Sequence, residues 1–243
     1  MMCGRYTLFA SPEEVAGIFN LPLPKVEDVF GGGPRYNIAP ASKVAVVRKP
    51  GSADDREVIL MRWGLVPSWA KDSKSGPLLI NARGETVADK PAFRASFRSR
   101  RCLVIADGYF EWQKLPDRKQ PFFFQVDNGA LFAFAGIWDR WEPSAEGADA
   151  IVSCSIITTR ANDLSKPVHE RMPVILSQES WDTWIRPAQY DRTLQHTLKS
   201  LISPFPNTRM SAVPVNTVVN NARNDLPDCI EAIGPPLEVA GPS

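Results

Sequence analysis

The sequence predicts an α+β fold in one domain, with a β-rich, curved or barrel-like sheet core flanked by short helices. Three observations predict it. Seven stretches rich in Val, Ile, Phe and Tyr (43–48, 57–63, 101–106, 109–113, 122–126, 131–138 and 151–158) are separated by turn residues, as strands are. Helical patterns are short and sit near the start and again at 178–185 and 191–202. A chain of 243 residues without internal repeats or a linker is also of a size to bury one substantial core.

In chain order, a first strand precedes Ser11-Pro12-Glu13-Glu14, which stands before Val15, Ile18 and Phe19. Ser11 fits an N-cap, Pro12 the first helical position and Glu14 the far side of a capping box. Gly31-Gly32-Gly33-Pro34 is a loop, and Arg35 to Pro40 leaves it extended but irregular, because Pro40 disfavours a helical Ala39. The central strands follow. Residues 139–149 are polar, with Gly, Pro and Ser, and read as a surface hairpin loop. Ser177 is the expected N-cap of the 178–185 helix. The domain is expected to occupy 1–233, with 234–243 as a disordered tail.

Composition narrows the function. The formal charge is +1, so any nucleic-acid contact must come from a local patch rather than the whole field. No apolar run approaches the roughly 20 residues of a membrane helix, and Met1-Met2-Cys3-Gly4-Arg5 offers no signal-peptide core, so a soluble cytoplasmic protein without membrane partners is expected. Cys3, Cys102, Cys154 and Cys229 are scattered singly, without a C-x-x-C pair, which points to reduced thiols and neither metal nor other cofactor. Imidazole chemistry is limited to His169 and His196, the latter read as structural in an amphipathic helix.

A cysteine exposed at the N-terminus carries a thiol and a free α-amine, whose unperturbed pKa is about 7.7–8.0. The amine condenses with an aldehyde to a Schiff base, and the thiol then closes a thiazolidine ring. Position alone favours the plainer reading, in which Cys3 is an ordinary residue of the first strand. Glu111, in Gly108-Tyr109-Phe110-Glu111-Trp112, lies on an aromatic segment where burial would raise a carboxyl pKa and suit it to proton transfer; the alternative is the polar face of a strand. His169 follows a strand and a loop, and its ordinary pKa fits proton shuttling. The Asn81 amide can hold an aldehyde or a sugar hydroxyl. Trp63, directly after a strand, reads as core. Trp69, beyond Pro67 and Ser68, is the better stacking surface, worth about 1–3 kcal/mol per base in single-strand binders. The run from Phe93 to Arg101 is the most basic in the chain and reads first as a solvated face.

Four segments in this order, Met2-Cys3-Gly4-Arg5-Tyr6, Asn81-Ala82-Arg83-Gly84-Glu85-Thr86, Gly108-Tyr109-Phe110-Glu111-Trp112 and His169-Glu170-Arg171-Met172-Pro173, resemble the SOS-response-associated peptidase family. The resemblance implies that Cys3 crosslinks to ring-opened abasic sites in single-stranded DNA or at single-strand/double-strand junctions. It also implies that Glu111 is the general acid/base, that His169 stabilises the reacting sugar and that Asn81 positions it. Arg5, Asn37, Pro40, Trp69, Arg83, Thr158 and Arg171 are implied to bind the DNA, with Arg5, Arg83 and Arg171 forming a local cationic patch. Removal of the N-terminal methionine by a peptidase-like self-processing step, a DNA lyase outcome, replication-associated partners and nucleoid association belong to the same expectation. The chain has two methionines before Cys3 where the family has one, so a free amine requires a start at Met2 or loss of both. The family often has alanine at the position of Gly84. A cysteine peptidase using Cys3 and His169, and a non-covalent nucleic-acid-binding module, are the rival readings.

Overall fold

Capping decides where the first strand gives way to helix. In the computed structural model, which describes residues 4–50, 55–73, 76–143, 149–187 and 190–238, β1 (Arg5–Leu8) leads to α1 (Pro12–Phe19). The Ser11 hydroxyl accepts from the Glu14 amide at 3.2 Å, and the Glu14 carboxylate accepts from the Ser11 amide at 2.9 Å, the reciprocal box expected from the sequence. A second helix, α2 (Leu23–Phe30), was hidden by its prolines. Pro22 is its N-cap and Pro24 lies in the first turn, where no amide is needed for the helix. The segment expected to be irregular instead forms a strand, β2 (Arg35–Ile38), paired antiparallel with β1 across a register shift.

The remaining strands are β3 (Lys43–Arg48), β4 (Glu57–Trp63), β5 (Asn81–Arg83), β6 (Arg101–Ala106), β7 (Gly108–Lys114), β8 (Lys119–Val126), β9 (Phe132–Trp141), β10 (Ile151–Arg160), β11 (Arg171–Pro173), β12 (Ile175–Leu176) and β13 (Met210–Pro214). The helices α3 (Arg94–Ser99), α4 (Trp181–Ile185) and α5 (Arg192–Ser200) complete the set. Strands β10, β4, β3, β6 and β9 pair in that order and β9 returns to β10, which closes a five-stranded barrel; only the β10–β4 pairing within it is parallel. Closure leaves these five strands without a free edge around the ring.

Strand β10 is ten residues long and serves two partners on each side. Its first half joins β9 and β4, while its second half carries β5 (Ile156 opposite Asn81, Thr158 opposite Arg83) and β11 (Thr158 opposite Pro173). The far half of β10 therefore gathers segments more than 70 residues apart in sequence.

A second sheet, ordered β13–β8–β7–β1–β2, packs against the barrel. Asp107 alone separates β6 from β7, and its buried carboxylate accepts from the Thr7 hydroxyl (2.5 Å) and the amides of Phe9 (2.5 Å) and Ala10 (3.0 Å). Tyr6 and Tyr109 cross between the layers. Tyr6 meets Trp63 and Phe134 edge-on at 5.3 and 5.7 Å, and Tyr109 meets Phe134 edge-on at 6.1 Å and stacks on Phe124 of its own sheet at 4.8 Å. Such aromatic pairs add about 0.5–1.5 kcal/mol each beyond their burial. A smaller core of Phe110, Phe123, Val215, Val219 and Cys229 lies on the other face of this sheet.

Two local expectations are corrected. The polar stretch 139–149 is not all loop, because β9 continues to Trp141 and Asp139 is buried. Arg100 Nε at 3.2 Å and the amides of Ser68 and Arg140, each at 2.9 Å, compensate that carboxylate. Ser177 has N-cap backbone angles but makes no side-chain cap, and a 3-10 turn (Gln178–Ser180) precedes α4. Within the stretch expected as a tail, the Leu237 amide donates to the Ala212 carbonyl at 2.8 Å. Among the described residues no helix is long and apolar enough to cross a membrane.

Candidate functional site

The far half of β10 is the scaffold. Thr158 is buried there, and its carbonyl accepts from the Gly84 amide at 2.9 Å and from Arg171 Nη2 at 2.8 Å. A Cβ at position 84 would stand 2.2 Å from Ile202 Cγ2 and 3.2 Å from that carbonyl, so glycine lets the chain just after β5 lie against β10 and against Ile202, just beyond α5. Arg171 forms a bidentate pair with Glu85, Nη1 to Oε1 at 2.9 Å and Nη2 to Oε2 at 2.8 Å. It also reaches the Thr158 hydroxyl from Nε at 3.4 Å. The Arg171 hydrogen bonds hold the Glu85 carboxyl below its ordinary range, with the Arg83 charge adding to the effect. Arg171 therefore fits a phosphate-binding fork in shape, but a carboxylate occupies it. Arg83 is exposed on β5, and Asn81 is half-buried opposite Ile156.

His169 stands at the entry to β11. Its amide donates to Ser165 at 2.9 Å, and the Arg171 amide donates to its Nδ1 at 3.1 Å. The Arg171 carbonyl also lies 3.2 Å from Nδ1, so Nδ1 accepts from the amide when the ring proton is on Nε2 and donates to the carbonyl when the proton is on Nδ1.

Glu111 comes from β7 and is buried, as its aromatic flanks suggested. Strand alternation puts it on the face of Tyr109, towards the barrel, with Phe110 and Trp112 on the side of the smaller core. The next polar residue, Gln113, donates from Nε2 to the Pro167 carbonyl at 3.2 Å, which ties the Glu111 strand to the turn that carries His169. Across the sheet, Arg5 pairs with Phe110, so the start of β1 lies beside Glu111 in the strand order. Cys3 lies outside the described residues, two positions before Arg5.

Two expected DNA contacts have other surroundings. Asn37 is 1% exposed and gives its side-chain amide to the carbonyls of Val219 (3.2 Å), Asn221 (3.1 Å) and Asn224 (2.7 Å). Arg5 is half-buried, and its Nη1 donates to Asn37 Oδ1 at 2.9 Å and to the Val219 carbonyl at 2.8 Å. Burial draws the Arg5 guanidinium pKa below its usual value. Pro40 is half-buried in the turn before β3.

Trp69 is 64% exposed, while Trp63 is fully buried, as expected. The loop around Trp69 is pinned at three points: Val66 N to Ser153 Oγ at 2.8 Å, Ser68 N to Asp139 Oδ2 at 2.9 Å, and Trp141 Nε1 to the Ala70 carbonyl at 2.6 Å. It borders a cavity of about 780 Å³ lined by Leu65, Val66, Leu78 and Ala92 with Arg62 and Lys71 at hand. An aromatic plane is thereby presented on a fixed loop.

The basic run from Phe93 to Arg101 is a solvated face in part, with Arg94 and Arg98 exposed, but its last arginine is not. Arg101 is buried, donating to the carbonyls of Phe97, Arg98, Trp184 and Arg186 at 2.6–2.9 Å, and burial lowers its pKa to about 10. His196 is exposed on α5. Among the described residues no group of three or more His, Cys, Asp or Glu could hold a metal ion. Sequence reasoning missed Glu85 as a partner of Arg171, Asp139 as an anchor, and the asparagine-rich stretch 216–225 that receives Arg5 and Asn37; the repeated Asn in that stretch was the available signal.

Comparison with known proteins shows the family. The model of the family described as SOS response associated peptidase (SRAP) matches residues 2–222. The chain is 39% identical to the abasic site processing protein YoqW of Bacillus subtilis, over 95% of this chain and 100% of that one. It is 31% identical to the abasic site processing protein HMCES of Xenopus tropicalis, over 96% of this chain and 78% of that one. A crystal structure of a protein from Bacteroides thetaiotaomicron superposes with a TM-score of 0.81 at 28% identity, covering 95% of this chain and 99% of that chain.

Proposed function

This chain belongs to the SOS response associated peptidase family, and on that premise we propose that it processes abasic sites in single-stranded DNA by forming a covalent thiazolidine through Cys3. The observation that carries the reading is the β1–β7 register. Arg5 opposite Phe110 sets the start of β1 beside the strand that supplies Glu111, and the two residues from Arg5 back to Cys3 reach at most about 7 Å.

The chemistry follows from the groups available. The free α-amine of Cys3 adds to the aldehyde of the ring-opened deoxyribose, and loss of water gives a Schiff base. The thiol then adds across the C=N bond, its proton passing to nitrogen, so the product weighs protein plus DNA less one water. Glu111, buried on the barrel-facing side of β7, is assigned proton transfer in ring opening and dehydration. In its Nε2–H tautomer His169 donates to a sugar oxygen, and Asn81 holds the sugar. Arg83 meets a backbone phosphate, Arg171, held by Thr158, meets one only when its Glu85 partner is displaced, and Trp69 stacks on a neighbouring base. Arg5, Asn37 and Pro40 support this wall of the site.

Intact mass spectrometry tests the reading, before and after incubation with a single-stranded oligonucleotide carrying one abasic site. A mature chain that begins at Cys3 and a heat-stable adduct less one water, absent in Cys3→Ala, are expected. Retained methionines and no adduct refute it; cleavage of unrelated peptides would point to the peptidase reading, and DNA behaviour unchanged in Cys3→Ala to the binding module.

A further inference from the structure

The 216–225 stretch holds itself together by its own amides. Asn216 caps the 3-10 turn Thr217–Asn220 by accepting from Val218 N at 3.1 Å, Asn221 accepts from Arg223 N at 3.1 Å, and Asn224 Nδ2 donates to the Val218 carbonyl at 2.9 Å. Val219 anchors it in the smaller core. From this base it grips three strands at one end of the second sheet. The Val219 carbonyl takes Arg5 of β1, Asn220 Oδ1 takes Trp112 Nε1 of β7 at 2.6 Å, and Asp225 takes Arg35 Nε (2.5 Å), Tyr36 N (2.5 Å) and Asn37 N (2.9 Å) of β2. Asn37 completes the link, accepting from Arg5 and donating to three strap carbonyls.

Of the three gripped strands, β7 carries Glu111, β1 pairs with β7, and β2 pairs with β1 on its other side. A short strand such as β1, with four residues, frays at its end unless side chains hold it. Catalysis that depends on a near-attack geometry loses rate when such an end loosens, even where binding is intact. Asp225 lies beyond the family-matched span of 2–222.

We infer that the 216–225 strap positions the N-terminal strand for reaction, with Asn37 and Asp225 as positioning residues that act through Arg5 and β2 without touching the reacting atoms. This inference rests on the proposed covalent reading. Its test compares wild type with Asp225→Ala, Asp225→Asn and Asn37→Ala. Affinity is read with an oligonucleotide carrying a tetrahydrofuran abasic analogue, which has no aldehyde, and the adduct rate is read at saturating abasic oligonucleotide.

Asp225→Ala is expected to slow adduct formation at least tenfold with affinity within twofold, and Asp225→Asn, which keeps an acceptor oxygen, to recover part of the rate. Asn37→Ala should resemble Asp225→Ala; because Asn37 is buried and could fail to fold, the more exposed Asp225 variants decide. An adduct rate within twofold of wild type, or equal losses of rate and affinity, overturns the inference. If wild type forms no adduct, the covalent reading falls by itself, and amide exchange decides the strap. Asp225→Ala must then speed exchange in β1 at least tenfold relative to β8, and unchanged protection overturns it.

Discussion

Replacing Glu85 with glutamine isolates what the Arg171 fork does. In the wild type both guanidinium nitrogens Nη1 and Nη2 bond the carboxylate at 2.9 and 2.8 Å, and Nη2 is also held by the Thr158 carbonyl. Arg171 is 17% exposed and Glu85 54% exposed, so solvent screens the pair; its bidentate geometry places it at the upper end of surface ion pairs, about 1 kcal/mol. In Glu85→Gln that attraction goes while the Thr158 contacts keep the fork oriented. A DNA phosphate then no longer competes with a carboxylate. Affinity for a single-stranded oligonucleotide should rise by up to about fivefold, the equivalent of about 1 kcal/mol, and the salt dependence should steepen by about 0.7 in log–log slope for one more phosphate neutralised. Fluorescence anisotropy at several salt concentrations reads both. An unchanged affinity and slope would refute the view that Arg171 meets a phosphate, and the clip would be purely structural. The pH dependence has a fixed sign. The Glu85 carboxyl is held below its ordinary value of 4.5 in the folded protein, so its stabilisation is present above 4.5 and is lost as pH falls through the lower folded value. Urea unfolding should therefore separate the variant from wild type at pH 7 but not once the carboxyl is protonated.

Gly84→Ala should cost about 1–3 kcal/mol through the approach to Ile202, about 2–4 °C in Tm per kcal/mol. Combining it with Ile202→Ala should give a favourable coupling in a double-mutant cycle, and simple additivity would contradict the contact. Cys102, Cys154 and Cys229 are buried, with Cys154 pushed up to about 12 and Cys102 also raised by desolvation. Native protein should accordingly show one fast thiol with Ellman's reagent, lost in Cys3→Ala, and four after denaturation; two fast native thiols would be inconsistent with the packing. Trp69→Ala should weaken oligonucleotide binding by about 1–3 kcal/mol. Asp139→Ala, which frees the Ser68 amide and leaves Arg100 unpaired, should reproduce part of that loss and reduce stability by about 2–3 kcal/mol. Anisotropy and thermal melts separate the two effects.

The β-rich class was legible because β-branched and aromatic residues cluster between turn formers, and all seven expected strands are present. Closure into a barrel was not, since it depends on a parallel pairing of β10 with β4 between residues some 90 positions apart, which no local pattern encodes. Helix α2 escaped notice because Pro22 and Pro24 read as breakers when taken singly, although both stand where a helix tolerates them. In the site, the burial of Glu111 could be read from Tyr109, Phe110 and Trp112 around it. Arg5 could not be read so. Its charge and its place near Cys3 suggested a phosphate ligand, while its partners, Asn37 and the Val219 carbonyl, lie 32 and 214 residues away. Asp139 was read as loop for the same reason, because the cation and amides that make its burial affordable come from Arg100 and Ser68.

That relocation of charge has a consequence for how the protein holds DNA. Of the three arginines beside the proposed site, Arg5 is bonded to oxygens of Asn37 and Val219 and Arg171 to Glu85, which leaves Arg83 as the exposed one. In the most basic run Arg101 is buried against four carbonyls, while Arg94 and Arg98 are exposed. With a formal charge of +1 there is no strong field to add to these contacts. Neutralising one to three phosphates of a single strand gives a log–log salt slope of about −0.7 to −2.1. Binding to an undamaged oligonucleotide should thus be weak and only mildly salt-sensitive, so that a bond to Cys3, rather than electrostatics, retains the protein on damaged DNA. Titrations from low to physiological salt with an intact strand test this. A slope steeper than about −4 would require about six phosphate contacts or more and would refute the charge distribution argued from Arg5, Arg101 and Arg171.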